Sequence, residues 1–239
     1  MFDFATFARE LEVSRPPSTL RQRIGRAAQC ALPVSKANRY RTIGKRILDV
    51  AIVVASAPFT LPIIGLCALA LWIEGGAPFY SQTRLGQHGK SFSIAKLRTM
   101  VHDADAVLED YLASDPAMRK EWDTLQKLKH DPRVTRLGAL LRSTSLDELP
   151  QLFNVLKGDM SLVGPRPMMP SQETMYGDMR AYSALRPGIT GLWQVSARNG
   201  KSFAYRKVVD ADYERSLSFA NDLQILLKTI GVVIRQTGY

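Results

Sequence analysis

Residues 50–73 run without a single charged side chain, between Asp49 and Glu74. As a helix rising ~1.5 Å per residue, that run would extend roughly 36 Å, enough to cross a hydrocarbon core of about 30 Å. Two prolines fall near its middle, Pro58 and Pro62. Each removes a backbone donor and crowds the preceding turn. The pieces on either side, 50–57 and 63–73, are too short to cross alone. Both flanks are basic: residues 75–100 carry Arg84, Lys90, Lys96 and Arg98 and no acid. Under the positive-inside rule both ends then prefer the cytoplasmic side. A Pro-broken helix that enters one leaflet and returns meets both conditions. A Pro-kinked spanning helix and a buried helix of a soluble protein are the alternatives. The long basic region ahead of the run argues against a cleavable signal peptide.

That basic region, residues 1–47, carries ten Lys and Arg against Asp3, Glu10 and Glu12, so it holds seven of the chain's ten net positive charges. Such an arm seeks an anionic neighbour. Next to an apolar run, a membrane surface fits better than nucleic acid, which is not expected as a partner. Two cysteines, Cys30 and Cys67, are too few for a disulfide framework. His88, His102 and His130 form no metal-binding pair.

Beyond Glu74 the pattern becomes that of a mixed, helix-rich α/β domain. Segments 78–82 and 92–96 are aromatic and β-branched around Gly86 and Gly89, which predicts a hairpin. Residues 102–131 read as two exposed helices broken at Asp115-Pro116, a solvated lid or spacer. Segment 149–156 places Leu149, Leu152, Phe153 and Leu156 on one helical face. Segment 222–235 does the same with Leu223, Leu226, Leu227, Ile230, Val233 and Ile234. Such faces normally meet a core; beside a membrane anchor they could also lie in the interface plane.

Chemistry concentrates between residues 131 and 199. Asp147 and Glu148 stand just before Pro150, which argues for a helix start near 149. Ser145 and Glu148 also have capping-box spacing, and acids at a helix N-terminus need no further reason than the dipole. Five arginines lie within about fifty residues of one another: Arg133, Arg136, Arg142, Arg166 and Arg186. A guanidinium fork grips phosphate bidentately, so the collection suits a diphosphate. Of two adjacent carboxylates, one could attack phosphorus while the other holds Mg²⁺. No Gly-rich phosphate loop is present, which removes support for NTP hydrolysis and dinucleotide redox chemistry.

The motifs Lys45-Arg46-Ile47-Leu48-Asp49, Gln82-Thr83-Arg84-Leu85-Gly86, Lys96-Leu97-Arg98-Thr99-Met100 and Asp131-Pro132-Arg133 through Gly138 resemble the bacterial sugar transferase family. So do Ser145-Leu146-Asp147-Glu148-Leu149-Pro150-Gln151-Leu152, the stretch from Lys157 through Gly164-Pro165-Arg166-Pro167, and Arg186-Pro187-Gly188-Ile189-Thr190-Gly191-Leu192-Trp193. The family comprises the monotopic polyprenyl-phosphate phosphoglycosyl transferases, and the resemblance covers about residues 42–239. It is nearest to the exopolysaccharide-initiating members that use galactose or glucose, without reading out the sugar.

The resemblance implies transfer of hexose-1-phosphate from a UDP-sugar to undecaprenyl phosphate. UMP is released and an exopolysaccharide or other surface glycan begins, for downstream glycosyltransferases to extend. It implies Asp147 as nucleophile through an aspartyl-phosphosugar intermediate, and Glu148 as the Mg²⁺ ligand. Arg142 matches a phosphate-contacting arginine, with Lys96, Arg98, Arg133, Arg136, Arg166 and Arg186 as further substrate- and phosphate-binding candidates. The helix break maps to Pro58 or Pro62; many members have Ser-Pro where this chain has Ala57-Pro58, with Ser56 just before. The expected organisation is a basic, flexible arm over 1–41, a re-entrant membrane helix over 42–74 and a catalytic domain over 75–239. That domain should be a small cytosolic α/β unit with amphipathic interfacial helices, held monotopically in the bilayer lipid on the cytoplasmic face of a bacterial inner membrane. The alternative is a non-catalytic membrane-associated scaffold, which would have no need of the acids and arginines.

Overall fold

The computed structural model describes residues 39–125, 128, 130–196 and 203–234. The expected basic arm lies outside the described residues as far as residue 38. A short π-helical turn, Tyr40–Gly44, leads into α1 (Lys45–Gly75), which runs unbroken through the apolar segment with Pro58 and Pro62 inside it. Among the described residues this is the one helix long and apolar enough to cross a membrane. The break expected at the prolines is therefore no interruption of helical structure. Each proline still withholds the donor its preceding turn would use, that is, for the carbonyls of Val54 and Pro58. The Ser56 hydroxyl donates to Val53 O at 3.1 Å, one residue short of the carbonyl that Pro58 leaves without its usual donor.

Both ends of α1 are fastened to the rest of the fold, while most of its middle, Ile64 apart, is exposed. Lys45, Asp49 and Val53 are buried at a spacing of four, one helical face. Lys45 Nζ donates to Asp222 Oδ2 at 2.6 Å, Tyr40 OH reaches the same oxygen at 2.6 Å, and Tyr213 OH donates to Oδ1 at 2.7 Å. Asp49 Oδ1 accepts from Ser161 Oγ at 3.1 Å and Leu162 N at 3.0 Å. At the other end Leu71 packs with Leu97 and Leu141, flanked by Cys67, Ala68, Leu137 and Leu146. Val54, Phe59, Leu61, Leu66 and Leu69 are exposed in between.

The hairpin is as expected but longer: β1 (Phe79–Leu85) pairs antiparallel with β2 (Ser91–Leu97), in a register running from Phe79↔Leu97 to Leu85↔Ser91. Helices α2 (Ala104–Ser114) and α3 (Pro116–Leu125) meet at the predicted break, where Asp115 Oδ1 caps the backbone N–H of Ala117 at 2.8 Å. Helix α4 (Arg136–Thr144) starts on Thr135, whose hydroxyl accepts from Gly138 N at 2.9 Å. Gly138 lies against the Thr99 carbonyl, with no room for a Cβ. A 3₁₀ turn (Leu146–Glu148) and α5 (Gln151–Lys157) follow. Strand β3 (Ser161–Val163) pairs in parallel with β4 (Gly188–Thr190) across a connection holding α6 (Glu173–Tyr176) and α7 (Arg180–Ser183). Cβ atoms on Gly164 or Gly188 would strike the facing backbone, which explains glycine in both motifs. The chain closes with α8 (Leu192–Ser196), α9 (Arg206–Ser216) and α10 (Phe219–Ile234). The main core joins Val53 of α1 to Ile94, Val155, Met160, Val163, Tyr213 and Ile225.

Two amphipathic helices turn only part of their apolar faces to the core, where Leu152 and Leu226 pack. Helix α5 buries Gln151, Asn154 and Val155 while Phe153 and Leu156 are exposed. Helix α10 buries Asp222 and Ile225 and exposes Leu223, Leu227, Ile230 and Val233. The polar residues turn inward because they are hydrogen-bond hubs. Asn154 accepts from Ala95 N at 3.0 Å and donates to Ser93 O at 2.8 Å, clamping β2. Asp222 collects the Lys45, Tyr40 and Tyr213 donors.

Candidate active site

Helix α4 ends on Ser145, whose backbone is left-handed at φ 60°, and its N–H bonds back to the Arg142 and Leu141 carbonyls. That conformation costs a non-glycine residue about 1–3 kcal/mol. It reverses the chain so that Asp147 points inward from the 3₁₀ turn. The Ser145–Glu148 capping box does not form, because Ser145 closes the preceding helix. Asp147 is only 7% exposed.

Lys96, on β2, lies between the two acids: its Nζ is 2.8 Å from Glu148 Oε1 and 3.9 Å from Asp147 Oδ2. Arg166, in the loop after β3, reaches Glu148 Oε1 at 3.4 Å. Arg142 donates through Nε to Thr99 Oγ1 at 2.9 Å, and its charge acts on Asp147. Burial holds the Asp147 carboxyl above the ordinary carboxylate range and Glu148 pushes it the same way, against Lys96, Arg142 and Arg166. Lys96, Arg142, Arg166, Asp147 and Glu148 are thus brought together.

The other predicted residues go elsewhere. Arg98 caps the C-terminus of α1, donating to Gly75 O at 2.7 Å and Leu71 O at 3.5 Å, a favourable place for a cation. Arg133 grips Asp131 through Nε at 2.8 Å and Nη2 at 2.7 Å, under the Trp122 ring 5.4 Å away. Burial alone would raise Asp131, but Arg133 holds it below its usual range. Arg136 is exposed on α4. Arg186 precedes β4 with its carbonyl against Gly164, and its side chain forms no ion pair among the described residues.

Two arginines absent from the sequence-based candidates stand beside Arg166. Arg84 donates to the Gln82 side chain and reaches Pro167 O at 3.5 Å. Burial and the neighbouring Arg166 push its guanidinium down to about 10. Arg206 donates to the Arg166 carbonyl and lies 4.8 Å over the Phe203 ring. Near Arg206, Asp210 accepts from Tyr176 OH at 2.7 Å, and burial pushes it up to about 6. Arg84 carried a signal: strand alternation in a hairpin puts Gln82, Arg84 and Lys96 on one face. Arg206 carried none.

Among the described residues no three His, Cys, Asp or Glu side chains converge. Mg²⁺ commonly takes one or two carboxylates and completes its shell with substrate phosphate and water. The Asp147-Glu148 pair fits that pattern, and a closed protein cage does not.

The acid pair thus stands among cations, on a domain fastened to both ends of an exposed apolar helix. Residues 40–236 match the bacterial sugar transferase family, and the chain belongs to it. A UDP-galactose-lipid carrier transferase of Erwinia amylovora is 46% identical over 195 residues, 81% of this chain and 41% of that protein. The exopolysaccharide production protein ExoY of Rhizobium meliloti is 43% identical over 198 residues, 82% of this chain and 88% of its own length. A UDP-glucose:undecaprenyl-phosphate glucose-1-phosphate transferase of Caulobacter vibrioides is 39% identical over 196 residues, 78% of this chain and 68% of the relative. The chain spans about two-fifths of the Erwinia protein's length and most of ExoY's.

Proposed function

We propose that this chain transfers hexose-1-phosphate from a UDP-sugar to undecaprenyl phosphate, giving undecaprenyl-diphosphate-sugar and UMP and starting an exopolysaccharide or other surface glycan. Galactose and glucose are the candidate hexoses, since the names of the Erwinia and Caulobacter relatives divide between them. The observation that carries the reading is the buried Asp147 held among Lys96, Arg142 and Arg166.

An Asp147 carboxylate oxygen attacks the sugar-bearing phosphorus. The bond from that phosphorus to the bridging oxygen breaks, and UMP leaves with the electron pair. An oxygen of undecaprenyl phosphate then attacks the same phosphorus, and the bond to Asp147 breaks, restoring the carboxylate. A carboxylate is a weak nucleophile toward an anionic diphosphate, so the cations must neutralise the phosphates and fix an in-line approach. Lys96 and Arg166 hold Glu148, the residue that would bind Mg²⁺ with Asp147 beside it. Bound there, the ion supplies further neutralisation of the diphosphate.

The same reading makes α1 re-entrant, as a continuous helix that bends at Pro58 or Pro62 where a backbone donor is missing, and the protein monotopic on the cytoplasmic face of a bacterial inner membrane. The fastening of both helix ends to one body supports it, because a spanning helix would part them. The basic arm over 1–41 would meet anionic lipid, and downstream glycosyltransferases would take the lipid-linked product.

Detergent-solubilised protein mixed with UDP-galactose or UDP-glucose and Mg²⁺ should gain one hexose-phosphate in intact mass, release UMP without acceptor and exchange UMP into UDP-sugar. Asp147→Asn should abolish all three. If UMP appears only after lipid is added, a single direct displacement replaces the covalent route.

A further inference from the structure

The arginine cluster beyond Arg166 is not needed to hold the acid pair. From β1 Arg84 reaches Pro167 O at 3.5 Å, from α9 Arg206 donates to the Arg166 carbonyl, and Arg166 Nη2 reaches Glu148 Oε1 at 3.4 Å. The Nε atoms of both Arg84 and Arg206 are buried and have no hydrogen-bond partner. Burial and its like-charged neighbours lower the Arg84 guanidinium, so the cluster repels itself. Buried guanidinium donors are ordinarily satisfied, and a surplus of positive charge beside a phosphate-transfer centre asks for an anion.

Hairpin geometry says which anion. Lys96, which touches the acid pair, is directly opposite Tyr80, one residue into β1 and close to the end of α1. Arg84 is four residues further along the same strand and on the same face, ~14 Å away at about 3.4 Å per residue. Tyr80 and Phe79 are exposed at the α1 end, while Arg84 is half-buried at the far end. On the proposed reaction the lipid-borne phosphate would approach at the exposed Phe79 and Tyr80 end, beside the C-terminus of α1, which leaves the half-buried Arg84 end for the water-soluble leaving group.

We propose that Arg84 and Arg166 form the seat of the leaving nucleoside monophosphate, with Arg206 fixing the Arg166 backbone from behind. The inference rests on the phosphoaspartyl reading and names the donor-binding residues for it. When the bond to the bridging oxygen breaks, that oxygen stays on the nucleotide phosphate and gains negative charge. A double guanidinium seat stabilises that charge as it develops.

The test uses the full chain in detergent, with UMP as probe. Arg84→Gln should weaken UMP binding by calorimetry roughly ten- to hundredfold, and Arg84→Lys by less than Arg84→Gln but measurably. Arg119→Gln, an exposed arginine on α3, should bind as wild type. Adduct formation from UDP-hexose should slow in Arg84→Gln. Discharge of the isolated adduct by undecaprenyl phosphate should keep the wild-type rate, which also shows the variant is folded. If wild type forms no adduct, the phosphoaspartyl reading fails and the seat with it. If wild type forms the adduct while Arg84→Gln binds UMP normally, the seat alone is wrong. If UMP binding is unchanged and discharge slows, the cluster holds the acceptor's phosphate instead.

Discussion

Burying a carboxylate costs free energy whenever it is ionised, and Asp147 is buried. Its folded-state pKa is raised above the unfolded value, mainly by burial. The folded chain therefore holds this proton to higher pH than the unfolded chain does, and stability falls as pH rises through that interval. Asp147→Asn should accordingly melt higher than wild type at neutral pH while losing all transfer. The gain should vanish as pH drops below the ordinary Asp value of about 4, where both states are protonated. Thermal unfolding followed against pH checks it; an Asn variant no more stable at neutral pH would mean that Lys96, Arg142 and Arg166 fully offset the burial. The acid pair and the arginines were legible because they are close in sequence and chemically distinctive. Which arginines converge was not: Arg98 and Arg133 look like Arg142 in sequence, yet one caps α1 and the other grips Asp131. Only the Asp two positions before Arg133 gave a local sign of its use.

Periodicity located α5 and α10 and left a core and an interface facing both open, since an amphipathic pattern does not say which side is wet. Asn154 and Asp222 turn inward as hydrogen-bond hubs and leave Phe153, Leu156, Leu223, Leu227 and Ile230 outside. On the proposed monotopic reading these exposed apolar stripes would lie in the lipid interface. Nitroxide labels at Leu227 and Ile230, in protein bound to anionic vesicles, should relax with oxygen as lipid-facing sites do. Labels at Gln224 and Lys228 should relax with a water-soluble nickel complex. Equal access at all four positions would place α10 in water. Stability should separate the two faces as well: Ile225→Ala should cost roughly 2–5 kcal/mol, whereas Leu227→Ser should stay within about 0.5 kcal/mol. The hairpin, by contrast, was readable because strand alternation and the Gly86–Gly89 turn agree, and the parallel β3–β4 pair was not, because three-residue strands leave too short a pattern.

At the scale of the whole molecule, the apolar helix and the site are one construction. The N-terminal end of α1 is held by Asp222 and the Asp49 contacts. The C-terminal end is held by Arg98 and by Leu71 packing beside Leu146, next to Asp147. A helix crossing the bilayer would carry one of these ends to the opposite side and break its set. Removing one partner of a buried ion pair such as Lys45–Asp222 costs about 3–5 kcal/mol, a cost that the proposed re-entrant form avoids. In a background with Cys30 and Cys67 replaced by Ala, single cysteines near Arg39 and near Gln87 should both resist an impermeant thiol reagent on intact cells. Both should react after permeabilisation. Labelling of only one from outside would establish a spanning helix. Pro58→Leu with Pro62→Leu restores both missing backbone donors and leaves ~24 uninterrupted apolar residues, enough to cross. The site near Arg39 should then become labelled in a fraction of molecules, and transferase activity should fall by that fraction, because those chains have given up the contacts that hold the body against the membrane. Labelling that rises while activity stays constant would separate the anchor from the site and overturn the coupling.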